Sequence, residues 1–333
     1  MRSPGLLVLL LLGWAVPARA VENSGSLDGS NGYFDWDNAS QPTADQVGNW
    51  ATGWGNVPTG DTGWNYVGLL TVPDGYLSGV YLGNGWVLTA AHGGTILDSY
   101  TLNGKTYTPV AGSVQTFTTD SDGVAGQADL LMFQLNGDPD LPALSLATSL
   151  PVTDLDGTGT NDSNSVIVGY GFPLALESWG SGIIQLTDQP ISIESFTSID
   201  YGIFTLNSGV PGSCGNTYNL YPGDSGGANF IYNAATGTWQ LAGINEFLET
   251  YDDGTPYASG FVQVDNYVTQ IDDVMGVPEP STNVLLALGL AGVAAVCRGS
   301  SRRGSPRTPC AGVKSKAPRL LAVVRRLTAT VVS

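Results

Sequence analysis

One histidine serves all 333 residues: His92, in the run GWVLTAAHGG (85–94). Imidazole is the side chain best suited to take and return a proton near neutral pH. A second run, YPGDSGGANF (221–230), sets Ser225 among glycines. A serine hydroxyl is a poor nucleophile at pH 7, so a base must remove its proton. The oxyanion formed by its attack needs two backbone N–H groups aimed at one point. The glycines let this loop turn tightly enough for the N–H groups of Gly223 and Ser225 to converge. The base in turn is held by a buried carboxylate. Among the aspartates after His92, Asp120, Asp122, Asp129 and Asp138 lie close together, and Asp129 alone heads a clean apolar run, ADLLMFQL. A lone histidine is more often structural than catalytic.

TAAH (89–92), Asp129 and GDSGG (223–227), in the order His, Asp, Ser, resemble the trypsin/chymotrypsin family of serine proteases. The separations, 37 and then 96 residues, suit that family, and the resemblance covers about residues 64–275. It implies an all-β fold of two antiparallel Greek-key barrels with a short C-terminal helix. His92 would be the general base, Asp129 its orienting partner and Ser225 the nucleophile. The N–H groups of Gly223 and Ser225 would form the oxyanion hole. The implied reaction is hydrolysis of a protein or peptide through an acyl-enzyme, without metal or organic cofactor. GINEF (243–247) and SGFVQV (259–264) resemble the last strands of the family. They would place Asn219, Glu246, Phe247 and Gly260 around the specificity pocket.

The departures are informative. Gly93 and Tyr221 stand where many members carry bridging cysteines. No IVGG-like start follows a basic cleavage site, which leaves the partner of Asp224 open. Glu246 occupies a position usually held by a serine near the catalytic aspartate. There it would either bear on His92 and Asp129 or point to solvent. Asn219, six residues before Ser225, is neutral where Arg/Lys-selecting members carry an aspartate, and no second histidine exists to bind a glutamyl side chain. A medium apolar or polar side chain is the expected preference. The alternative reading is an inactive protein of the same fold, serving as a surface binding or matrix protein.

The elements that must position these residues read as strands. Short alternating or β-branched runs bounded by Gly, Asn and Asp recur at 65–72, 78–91, 99–110, 114–119 and 129–135. They resume at 166–171, 182–193, 201–206, 226–232, 238–247 and 259–264. Asn103-Gly104 marks a hairpin tip. Residues 264–275 carry helical spacing: Val264, Tyr267, Val268, Ile271 and Met275. Helix–strand alternation is lacking, which argues against a parallel α/β fold. The first barrel is expected over about 64–152 and the second over about 165–262. Residues 21–63 read as irregular. DLDGTGTND (154–162) has a calcium-loop-like spacing of aspartates but no twelfth-position glutamate, so a solvated linker is the better reading.

The ends differ in kind from the middle. Residues 1–20 have an early Arg2, an apolar core from Leu6 to Val16 and a small-residue ARA ending, the pattern of a cleaved signal peptide. VPEPST (277–282), an apolar run over 284–297 and a cluster of arginines resemble the PEP-CTERM sorting signal of bacteria, over 277–303, with a basic tail to 333. The apolar run spans about 21 Å as a helix, short of the roughly 30 Å hydrocarbon core. The resemblance implies handling at the inner membrane, then release or anchoring at the cell surface, with membrane contact through this segment alone. All 29 Asp and Glu fall between residues 21 and 280, against a single basic residue, Lys105. That excess excludes nucleic acid as a partner. Cys214 is the one cysteine of the exported part, the others being Cys297 and Cys310, so core packing must hold it without an internal disulfide. Cys214 reads as inert, and a monomer is expected.

Overall fold

Asn-Gly pairs build the corners of the first half of the molecule. Asn84-Gly85 and Asn103-Gly104 both have positive φ at each residue (53° and 79°, 50° and 75°), as a type I′ hairpin turn requires. The computed structural model describes residues 22–23, 40–44, 47, 49–55, 61–121, 124–150, 163–171, 175–193, 198–206, 218–251 and 256–276. The segment expected to be a signal peptide, the 154–162 stretch, Cys214, the apolar run 284–297 and the basic tail lie outside them. No helix among the described residues is long and apolar enough to cross a membrane.

The first half contains β2 (Val67–Val72), β3 (Gly75–Gly83), β4 (Trp86–Thr89), β5 (Ser99–Leu102), β6 (Lys105–Tyr107), β7 (Gln115–Ser121) and β8 (Val124–Gln134). They pair antiparallel in the order β6-β5-β2-β3-β4-β8-β7. Strand β5 returns beside β2 after the β2-β3-β4 meander, which is a Greek key. The chain after β6 closes the ring: Val110 N–H donates to Gln134 (2.7 Å) and Asn136 N–H to Thr108 (2.8 Å).

The second half contains β9 (Ser163–Gly171), β10 (Leu176–Ile184), β11 (Leu186–Ile193), β12 (Ser198–Leu206), β14 (Ala228–Asn233), β15 (Thr238–Thr250) and β16 (Pro256–Gln263). Their order is β10-β9-β14-β15-β16-β12-β11, again antiparallel, and β10 and β12 lie against each other. A small separate ladder joins β1 (Glu22–Asn23) to β13 (Tyr218–Asn219). Two sets of seven strands thus meet at one parallel bridge, Ser198 beside Gln127.

Alternation along these strands fills each interior. Val80, Leu82, Leu88, Leu130 and Met132 are buried in the first half, and Ile167, Ile184, Ile203, Ile231 and Phe261 in the second. Residues 40–55 form no strand or helix where described, yet Trp50 and Trp54 pack edge-on and stacked against Trp239 and Phe230. The 264–275 helix begins as a 3-10 turn over Val264–Tyr267 and continues as α1 (Val268–Met275). Gly276, at φ 67°, caps its end in the left-handed region. Gln270 of α1 exchanges hydrogen bonds with the Thr118 backbone, so the helix returns to the first half.

Three sequence expectations need correction. The run 78–91 is two antiparallel strands, β3 and β4, because Asn84-Gly85 turns the chain between them. The run 182–193 is not one strand, since β10 ends at Ile184 and begins earlier, at Leu176. Gln185 separates it from β11, its N–H held by Phe204. A bulge with Asp188 at φ 55° follows, and Pro190 is tolerated because β11 is an edge strand pairing with β12 alone. The segment before residue 64 also contains β1, too short to carry a periodic signal.

Candidate active site

His92 sits in a 3-10 turn, Ala91–Gly93, directly after β4. The turn packs on β3: the δ1 carbon of Leu77 stands 1.8 Å from where a Cβ on Gly93 would be. A leucine methyl thus fills the place expected for a disulfide brace. Asp129, in β8, is 1% exposed and gives both oxygens to this turn. Oδ1 accepts the His92 backbone N–H and Oδ2 lies 2.6 Å from ring Nδ1. Of the sequence candidates, Asp138 instead accepts from the Tyr81 hydroxyl.

With an ionised carboxylate as acceptor, Nδ1 carries the imidazole proton and Nε2 keeps its lone pair. That is the tautomer a general base needs.

Ser225 lies in the loop between β13 and β14. Its N–H groups follow a pattern. Asp224 donates to Tyr221, Gly226 to Asn245 and Gly227 to Asp224. The N–H groups of Gly223 and Ser225 donate to no described group, and they are the two expected to face an oxyanion. Gly223 has φ 96° and Gly226 φ 82°, a region that favours glycine.

Ser78 of β3 clamps this loop across the junction of the two halves. Its N–H donates to the Ser225 carbonyl (2.8 Å) and its Oγ to the Gly223 carbonyl (3.1 Å). The same Oγ accepts the Tyr170 N–H (2.7 Å), while the Ser78 carbonyl accepts from Thr89 Oγ1 (2.7 Å). A Cβ on Gly226 would meet Thr89 Oγ1 at 2.1 Å, the Ser78 carbonyl at 2.3 Å and Ala90 N at 3.0 Å. The serine loop therefore touches the residues that lead into His92. From the other side, Asn245 Nδ2 donates to the Asp224 carbonyl. Asp224 is buried; its Oδ2 accepts the Tyr221 N–H, and its carboxylate lies where a side chain at Gly169 would stand.

Behind Asp129 the structure adds a residue the sequence reading missed. Asp200 of β12, fully buried, accepts the Asp129 N–H on both oxygens (3.0 and 3.1 Å). Its Oδ1 also accepts the Tyr267 hydroxyl at 3.1 Å, and Tyr267 is bonded to Thr119. Glu246 turns toward this group. Burial, and then the Asp200 and Asp129 carboxylates, push its carboxyl well above the ordinary range.

Of the four residues expected around a specificity pocket, Phe247 and Gly260 touch, and Leu220, next to Asn219, donates its N–H to Ser259 beside them, whereas Glu246 does not join them. Glu246 belongs with the buried carboxylates, because a bulge between Asn245 and Phe247 turns it inward. Phe247 lies over Gly260 and packs with Ile191, Phe204 and Ala258. Asn219 pairs with Glu22 in the short β1-β13 ladder. Asp200 carried one usable signal: like Asp129, it heads an apolar strand. Ser78 carried none.

Comparison with known proteins gives two findings. Residues 276–303 match the PEP-CTERM protein-sorting motif, a C-terminal signal for export, which makes the chain an exported, cell-surface or secreted protein. No curated protein sequence matches the chain. Among solved structures, the chain is similar to the inactive form of the Rv3671c protease of M. tuberculosis, at 13% identity over 64% of this chain and 90% of that one, with a TM-score of 0.43. It is similar to mouse neuropsin, a serine protease, at 16% identity over 64% and 95%, TM-score 0.43. The HtrA-type protease AlgW with a tripeptide gives 21% identity over 63% and 60%, TM-score 0.42. At such values these likenesses speak for neither activity nor substrate. The chain thus carries a PEP-CTERM sorting motif behind a two-barrel body whose structural neighbours are trypsin-like serine proteases.

Proposed function

We propose that the exported protein is a serine endopeptidase working through His92, Asp129 and Ser225. The observation that carries this reading is the double hold of Asp129 on the only histidine, at main chain and ring. Ser225 Oγ attacks the scissile carbonyl and passes its proton to Nε2 of His92. The charge that forms on the imidazole faces the Asp129 carboxylate. The oxyanion receives the N–H groups of Gly223 and Ser225. His92 then gives the proton to the departing amine, leaving an acyl group on Ser225. A water, deprotonated by His92, attacks the acyl carbon, and the proton returns to Ser225 as the acid leaves. The PEP-CTERM segment delivers the enzyme to the envelope, by way of the inner membrane.

A fluorophosphonate probe tests this reading, since it reports an activated serine without knowledge of the substrate. The wild-type protein should label, and Ser225→Ala and His92→Ala should not. Failure of the wild type to label beside a reactive control protease would sink the proposal and favour the inactive, surface-binding alternative.

A further inference from the structure

Glu246 is 3% exposed, and neither of its oxygens meets a donor among the described residues. What surrounds it is mostly acceptors. Asp200 faces it from β12 and Asp129 from β8, with His92 beyond Asp129. The hydroxyl of Tyr267, on the turn before α1, already donates to Asp200, so Thr119 from β7 must donate to Tyr267. Among the described residues, no lysine or arginine lies beside these groups. Lys105, the one basic residue between 21 and 280, sits over the Tyr107 ring, 4.7 Å from its centre. Three ionised carboxylates in one buried region, without a cation, would repel strongly and stay desolvated. Two neighbouring carboxyls solve this by sharing one proton. As carboxylates, Glu246 and Asp200 offer each other acceptors only; a proton on Glu246 makes Asp200 its partner.

We infer that Glu246 stands in this site as a neutral acid donating to Asp200, and that Asp200, kept as the carboxylate, positions Asp129 by receiving its N–H. This rests on reading His92 and Asp129 as the base couple. The arrangement puts acceptor oxygens where the parallel bridge between β8 and β12 stops. It gives Asp129 a fixed backbone while leaving both of its own oxygens to His92. Asp200 and Glu246 are positioning residues that touch no substrate. Ionisation of Glu246 would place a third anion beside the couple, so the site has a built-in alkaline limit.

Infrared and nuclear magnetic resonance spectra of the full-length protein test this without a substrate. At pH 7 the wild type should show a protonated-carboxyl band that is missing from Glu246→Gln. No such difference overturns the acid assignment. Because one histidine is present, its low-field Nδ1 proton gives a single resonance. That resonance should persist in Glu246→Gln and broaden or disappear in folded Asp200→Asn. An unchanged resonance in Asp200→Asn overturns the positioning role, as does its loss in folded Glu246→Gln. Hydrolysis should fall at least about tenfold in kcat for Asp200→Asn with KM within about twofold, the pattern of a misplaced catalytic group. A wild type that hydrolyses nothing, yet shows the band, loses the protease reading and keeps the proton assignment. Hydrolysis without the band removes the acid pair alone.

Discussion

Both oxygens of Asp129 are committed to one residue, which makes the aspartate a geometric device as much as an electrostatic one. An amide in its place would present one acceptor and one NH2 donor. Asp129→Asn therefore either loses the bond to the His92 main chain or turns the ring to the wrong tautomer. The expected result is a fall in kcat of about four orders of magnitude with little change in KM, as for other triads that lose the charge but keep the shape. Steady-state hydrolysis of a peptide, alongside the rate of fluorophosphonate labelling, measures it. A loss confined to KM would mean that Asp129 serves binding. At the residue scale the sequence reading named His92 and Asp129, which the structure brings into contact. His92, Asp129 and Ser225 are short-motif residues whose chemistry dictates their neighbours. Glu246 shows the limit. Its position was legible, but its orientation was not, because a single bulge in β15 decides whether a side chain faces the barrel or the solvent.

At the scale of elements, the site is a junction between two barrels, and β3 is its clamp. Ser78 holds the serine loop through its N–H and its Oγ, across 145 residues of sequence to Gly223. Ser78→Ala keeps the backbone bond and deletes the side-chain one. It also leaves the half-buried Tyr170 N–H without its acceptor, which costs stability on the order of 1 kcal/mol. A loosened Gly223 peptide should lower kcat by about tenfold, less than the loss of an oxyanion donor itself. Urea unfolding and steady-state kinetics check the two effects separately; an unchanged kcat would show that the loop holds its shape unaided. Gly226→Ala is expected to be far worse. Positive φ and contacts at 2.1 and 2.3 Å oppose any side chain there, so the folded yield should collapse. Strand runs and the Asn103-Gly104 hairpin were legible because they are local, whereas the Asn84-Gly85 turn was hidden inside an apolar run that continues on both sides of it. Ser78 and Asp200 were not legible, because their roles exist only where two distant strands meet.

The whole molecule carries its acidity into its stability. Besides Glu246, Glu177 is displaced, to about 9, by burial, against the opposing hydrogen bond from Tyr170. Asp265 and Asp272 move the same way, burial again being the first cause. A carboxyl whose folded pKa is raised holds its proton in the native state while the unfolded chain releases it. Stability from such groups is full below the unfolded value, near 4.5 for Glu177 and 3.8 for the aspartates, and is lost as pH climbs toward the folded value. For the deeply buried Glu177 the loss can reach about 1.4 kcal/mol per pH unit in that window; the half-exposed Asp265 and Asp272 add less, since solvent screens them. The exported region, with 29 acidic residues against Lys105, adds self-repulsion in the same direction. Unfolding by urea at pH 5, 7 and 9 should therefore give a stability that falls at each step. Glu177→Gln should flatten part of the slope between 5 and 9. Added salt should raise stability at pH 9 more than at pH 5, because screening acts on the exposed charges and not on the buried acids. A stability that rises between pH 5 and 9 would mean that the buried carboxyls are ionised in the native state, and with them Glu246.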